Sequence, residues 1–98
     1  MFFNCIKLES IPSDLFVNCP NATTFNFTFN YCQALTTIPV ELFSNCPLVQ
    51  GFESTFRQCV GIDTIPSDLF RYNVNVTSFY STFQFMPQII EIPTGLFN

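Results

Sequence analysis

A chain of 98 residues is one small domain at most. Three Lys and Arg stand against seven Asp and Glu, giving a net charge of −4, too few cations for a nucleic-acid footprint. Histidine is absent, which removes a catalytic triad, imidazole acid–base chemistry and His-ligated metal, while a 48% hydrophobic composition with 10% charge argues against a disordered tail. No apolar run reaches the length of a membrane span, and no basic segment leads into an apolar one as in a signal peptide.

The chain repeats with a period of 27 residues and no insertions. Ile-Pro recurs at Ile11-Pro12, Ile38-Pro39, Ile65-Pro66 and Ile92-Pro93. Three phenylalanine positions keep the same period: Phe2, Phe29, Phe56 and Phe83; Phe16, Phe43, Phe70 and Phe97; Phe25, Phe52 and Phe79. These hold 11 of the 14 phenylalanines. Cys5, Cys32 and Cys59 share a phase with Met86, and Cys19 and Cys46 share one with Asn73. Repetition of this kind means stacked units, since one 27-residue coil cannot enclose its own apolar face.

In chain order, each Ile-Pro is expected to end a short strand, because proline has no ladder donor. Ser13-Asp14 opens a short helical or 3₁₀ turn over 13–18, an extended piece follows near 22–25, and a strand near 34–38 leads to the second Ile-Pro. The second copy predicts a turn at 40–45, an extended piece at 49–52 and a strand at 61–65. The third predicts a turn at 67–72 and an extended piece at 76–79. Apolar residues at every third position fit neither a helix nor a half-buried strand and suggest a backbone curving around a narrow core. A weaker half-repeat lies inside each copy: Phe16, Cys19, Ala22 and Phe25 have the spacing of Phe29, Cys32, Leu35 and Ile38.

The string Thr55-Phe56-x-x-Cys59-x-x-Ile62-x-x-Ile65-Pro66 resembles the bacterial surface-antigen, or BspA-like, type of leucine-rich repeat. The stretch Val76-Thr77-Ser78-Phe79-Tyr80-Ser81-Thr82-Phe83 is similar to the related repeats of mycoplasma surface lipoproteins. The resemblance implies a right-handed solenoid with one parallel sheet, displayed outside a cell and used in adhesion and surface interaction. The period of 27 is longer than is typical of that family, and Thr-Phe replaces its Met-Phe in three copies. The expected fold class is therefore a repeat solenoid: leucine-rich-repeat-like coils with short parallel β-strands and short helical or 3₁₀ turns, about 3.6 coils, uncapped. Residues 1–98 form a single segment with copies at roughly 1–27, 28–54 and 55–81 and a partial copy at 82–98.

Few residues offer chemistry. The Cys5, Cys32 and Cys59 column reads as small buried hydrophobes. Cys19 and Cys46 are a candidate cross-coil disulfide, since coils stack about 4.8 Å apart and a bridge tolerates that distance. Asp14, Glu41 and Asp68 share a phase and read as solvated acids at turn starts. Asn21, Asn26 and Asn75 head Asn-x-Thr sequons and are candidate glycosylation sites. No catalytic, cofactor-binding or metal-ligating set is expected, and hence no enzyme.

Both ends break off in repeat sequence, so apolar columns and unpaired backbone would face outward there. The expected function is a non-enzymatic extracellular structural protein whose copies stack end to end into a fibre or longer array, on or outside a cell. The alternative is a surface adhesion module that binds a host protein or glycan. Its only aromatic candidates outside the phenylalanines are Tyr31, Tyr72 and Tyr80, which lie in different phases.

Overall fold

Apolar residues at every third position find their explanation in the turns they close. The computed structural model describes residues 2–89 together with Pro93 and Leu96. In it the Cys5 N–H donates to the Phe2 carbonyl and the Leu8 N–H to the Cys5 carbonyl. The same pair of bonds links Phe16, Cys19 and Ala22, then Phe29, Cys32 and Leu35, then Phe56, Cys59 and Ile62. Each corner residue closes one four-residue turn and opens the next. At Cys32 and Cys59 the side chain is wholly buried, so period three in sequence becomes one inward face there, whereas Cys19, in the first coil, is exposed.

The turns at the phenylalanines have a specific backbone. In Phe25–Thr28, Phe29–Cys32, Phe52–Thr55, Phe56–Cys59 and Phe79–Thr82 the fourth N–H bonds the first carbonyl. The third residue of each is left-handed: Phe27 (φ 61°), Tyr31 (66°), Ser54 (53°), Gln58 (61°) and Ser81 (55°). Asn4 (64°) and Phe85 (59°) hold the equivalent places in the first and last described coils. A positive φ at the third residue is the requirement of a type II turn, which usually places glycine there. Here none of the seven is glycine, and each costs about 1–2 kcal/mol of backbone strain.

The strain is offset by bonds between coils. Phe25, Phe27, Phe29 and Tyr31 donate their N–H groups to the carbonyls of Gly51, Glu53, Thr55 and Arg57 at 2.8–3.0 Å. Phe52, Ser54, Phe56 and Gln58 donate in turn to Ser78, Tyr80, Thr82 and Gln84. Phe2 and Asn4 donate to Thr28 and Asn30. Along these turns alternate N–H groups thus point toward the following coil and the interleaved carbonyls accept from the preceding one, with the direction reversed just before them, where Gln50 donates to Thr23 and Thr77 to Gln50. The left-handed residues take part, because their φ turns the N–H onto the same side as its neighbours.

This arrangement overturns the expected leucine-rich-repeat-like solenoid of strands and helical turns. Among the described residues there is no helix, and the sheet is reduced to isolated parallel bridges, Thr24 with Gly51 and Gly51 with Ser78. Residues 34–38 and 61–65, expected as strands, form none. Residues 13–18, 40–45 and 67–72 are turns without a helix. Their N–H donors come at Leu15, Val17 and Cys19, every second residue, where a 3₁₀-helix would need consecutive ones. Only the pieces at 22–25, 49–52 and 76–79 carry the bridges. Extended strands fail near the phenylalanines because a left-handed residue interrupts each run.

The core is a lattice of phenyl rings inside a body of 29 × 27 × 20 Å. Phe2, Phe29, Phe56 and Phe83 stack nearly parallel at centroid spacings of 5.4–5.8 Å. Phe16, Phe43 and Phe70 form a second stack at 6.0–6.1 Å, and Phe25, Phe52 and Phe79 a third at 5.9–6.0 Å. Between stacks the rings tilt, as in Phe43 against Phe52 at 4.7 Å and 61°. Offset stacks crossed by tilted contacts suit the ring quadrupole. Phe97 and Ile92, assigned to these columns from sequence, lie outside the described residues. Ile11, Ile38 and Ile65 are buried beside the lattice.

Candidate functional site

The cysteines are where side-chain chemistry meets the repeat. Cys32 Sγ donates to the Phe2 carbonyl at 3.0 Å, Cys59 Sγ to Phe29 at 2.9 Å and Cys46 Sγ to Phe16 at 3.7 Å. Each acceptor lies in the preceding coil. Other residues one turn after a phenylalanine do the same: Thr55 and Thr82 hydroxyls donate to Phe25 and Phe52, and Asn73 Nδ2 donates to Phe43 at 3.1 Å. Phe-x-x followed by Cys, Thr or Asn is therefore a unit in which the fourth residue supplies two donors. Its N–H closes the turn, and its side chain ties the phenylalanine carbonyl of the coil before.

Thiols suit this role because they stay protonated. Burial pushes the Cys32 and Cys46 thiols above their ordinary range, and pushes that of Cys59 up to about 12. All five cysteines are free. Cys19, the candidate disulfide partner of Cys46, is exposed, while the Cys46 sulfur is buried on the Phe16 carbonyl. The donor role is not legible in the sequence, where the column reads as packing. The signal was present in the exchange of Cys for Asn at 73 and in the matching Thr column at Thr28, Thr55 and Thr82, residues that share only the capacity to donate.

The remaining candidates are spread over the surface. Asn21 is exposed. Asn26 is exposed, and its Oδ1 accepts the Glu53 N–H at 2.8 Å across the backbone of Gly51, where an added Cβ would stand 3.0 Å from that oxygen. Asn75 is exposed and donates through Nδ2 to the Pro47 carbonyl at 3.1 Å. Asp14 and Glu41 edge a shallow cavity of about 220 Å³, and Asp68 is exposed. No group of three His, Cys, Asp or Glu side chains with metal-binding placement occurs among the described residues. Tyr72 and Tyr80 are exposed, Tyr72 under the Arg71 guanidinium at 5.6 Å, and Tyr31 fills a left-handed turn position. No described helix is long and apolar enough to cross a membrane.

The two ends of the stack differ from its middle. Phe29, Phe56, Cys32, Cys59, Leu35 and Ile62 are wholly buried, with a coil on each side. Their equivalents Phe2, Cys5 and Leu8 at one end, and Phe83 and Ile89 at the other, are only partly covered. Backbone groups are left over in the same places. At the far end the N–H groups of Ser81, Phe83 and Phe85 meet no acceptor among the described residues. At the near end the carbonyls of Phe3, Thr24 and Asn26 meet no donor among the described residues. An open cavity of about 560 Å³ runs along the flank of the stack across three coils, from Gln33 through Gln58 and Val60 to Phe83, Phe85, Met86 and Pro87. Arg57 lies over the Phe85 ring at 4.9 Å and holds Gln84 Oε1 at 3.1 Å, fixing the rim of that cavity. The near end has a smaller, wholly apolar cavity of about 70 Å³ between Phe2, Leu8, Leu15 and Phe29. Along the phenylalanine turns the far end thus offers N–H donors beside apolar rings and the near end carbonyl acceptors beside apolar rings, whereas the order is reversed at Gln50 and Thr77, whose N–H groups donate to Thr23 and Gln50 in the coil before. No family model, no curated protein and no solved structure matches the chain, so its ends and its turns carry the functional argument alone.

Proposed function

We propose that this protein is a non-enzymatic structural module whose copies stack end to end into an array, working on or outside a cell. The observation that carries this reading is the opposite character of the phenylalanine turns at the two ends: among the described residues, the N–H groups of Ser81, Phe83 and Phe85 and the carbonyls of Phe3, Thr24 and Asn26 have no partner. Open backbone of this kind is a template for another chain of like geometry. Partly covered Phe2 and Phe83 add apolar area, and burying a phenyl ring is worth roughly 1.5–3 kcal/mol. The low charge of the surface offers little repulsion to such stacking. Light scattering of the purified 98-residue chain over a concentration series tests the reading, with electron microscopy of the concentrated material. Mass is expected to grow with concentration and to yield elongated particles. A monomer that persists at the highest soluble concentration refutes it.

A further inference from the structure

Resting on that stacking reading, we infer that two copies join in one direction and one register, with the first coil of the incoming copy occupying the place one period beyond Phe83.

Within the chain, one rule governs the contacts of Phe2 with Phe29 and of Phe29 with Phe56. A phenylalanine N–H and the N–H two residues later donate forward, its ring stacks on its equivalent, and the thiol three residues after that equivalent donates back to its carbonyl. Phe29 shows all of it: its N–H meets Thr55 at 2.9 Å, Tyr31 meets Arg57 at 2.8 Å, its ring stacks on Phe56 at 5.4 Å, and Cys59 Sγ meets its carbonyl at 2.9 Å. Phe2 relates to the next coil in the same way through Asn4, Phe29 and Cys32.

Phe83 stands in the same column with none of this forward half satisfied. Its N–H and that of Phe85 are open, and its carbonyl receives no thiol among the described residues. The near end holds the complementary set in matching phase. Phe2 offers a partly covered ring, Phe3 a carbonyl in phase with Arg57, and Cys5 a partly buried thiol, the last two without a partner among the described residues. On the second copy, Phe2 would stack on Phe83, the Phe3 carbonyl would take the Phe85 N–H, and the Cys5 thiol would take the Phe83 carbonyl. Two near ends cannot pair this way, since neither brings the Phe85 N–H that the Phe3 carbonyl needs or the Phe83 carbonyl that the Cys5 thiol needs. The contact is therefore heterologous, and nothing in it closes a ring at two copies, so growth continues.

Thiol footprinting of the wild-type chain tests the register without a substitution. Iodoacetamide labelling read by peptide mass spectrometry compares dilute and assembled protein, with amide exchange at Phe83 and Phe85 measured on the same samples. Cys5 labelling is expected to slow by about ten-fold or more on assembly, with the two amides gaining protection together. Assembly seen by light scattering with Cys5 labelling unchanged refutes the register and leaves the stacking reading standing. Absence of assembly refutes both. Direction is tested by Phe2→Asp, which spoils the near end alone and is verified as folded by circular dichroism. Mixed with wild type, it is expected to add to near ends through its intact far end and stop growth there, shortening the particles. Wild-type particle length in the mixture would refute a one-directional contact.

Discussion

Replacing Ser54 by glycine and, separately, by alanine tests the turn geometry directly. Both changes delete the same hydroxyl, so the difference between them isolates the backbone. Ser54 is buried, left-handed at φ 53°, and fixed on both sides by the bond from its N–H to the Tyr80 carbonyl at 2.9 Å and the bond from the Arg57 N–H to its own carbonyl. Alanine keeps the left-handed penalty of about 1–2 kcal/mol, and glycine escapes it. Glycine in turn loses more chain entropy on folding, by about 0.4–1 kcal/mol. The balance favours glycine over alanine by about 0.5–1 kcal/mol, or roughly 2–8 °C in melting temperature for a chain of this length. In an ordinary strand or helix the order is reversed, with glycine below alanine by about 0.5–1 kcal/mol. Thermal and urea unfolding followed by circular dichroism measure the pair. If Ser54→Gly is the less stable of the two, the left-handed turn is not the conformation held in solution.

Other substitutions probe the core and the thiol column. Phe56→Ala removes a wholly buried ring stacked on Phe29 and Phe83, and is expected to cost about 3–5 kcal/mol in urea unfolding; a loss under 1 kcal/mol would contradict the ring lattice. Cys59→Ala leaves the Phe29 carbonyl without its cross-coil donor and is expected to lie about 1 kcal/mol below Cys59→Ser, which keeps one; equal stabilities would count against thiol donation. The Cys59 thiol also sets a pH window. Its pKa is raised from 9.0 to about 12 in the folded chain, so its contribution is complete below pH 9 and is lost as pH rises from 9 through 12. The urea midpoint should fall across that range and fall less in Cys59→Ser; a flat profile would refute the assignment. Asn73→Cys restores the column and removes a buried Oδ1 that has no partner, at the expense of the second bond from Nδ2 to the Cys46 carbonyl; a gain of about 1 kcal/mol is expected, and a loss of that size would show that the paired amide outweighs its orphaned oxygen.

How far the chain can be read from its letters depends on what each letter encodes. The period is visible because Ile-Pro and the phenylalanine positions repeat without insertion, and a stacked core needs equivalent residues at equivalent places. The turn type is hidden, because a positive φ is normally announced by glycine. Here Phe27, Tyr31, Ser54, Gln58, Ser81 and Phe85 adopt it with full side chains, leaving only Asn4 as a conventional signal. Local preference disfavours that backbone and the cross-coil bonds impose it, so single-residue propensities point toward strands and short helices that the chain does not form. Cysteine misleads in the opposite way: as a buried small residue it reads as packing, and its hydrogen bond becomes visible only when the preceding coil's carbonyl is in place.

Those two hidden features bear on assembly together. A left-handed residue in the turns that begin at Phe2, Phe25, Phe29, Phe52, Phe56, Phe79 and Phe83 aims alternate N–H groups at one side, and the thiol, hydroxyl or amide that follows many of these corners aims its donor at the other. Each coil therefore has two unlike faces, and a coil with one neighbour has half of its directed groups unsatisfied. Strain of about 1–2 kcal/mol at each left-handed residue is offset only where its N–H reaches a carbonyl. Tyr31, Ser54 and Gln58 reach one, whereas Ser81 and Phe85 carry the same backbone strain with N–H groups that meet no acceptor among the described residues. The far end is thus the least stabilised part of the described stack, and a coil added there supplies the missing carbonyls, covers Phe83 and Phe85, and rewards a conformation already in place. Preorganisation of this kind favours addition to an existing end over the meeting of two disordered chains.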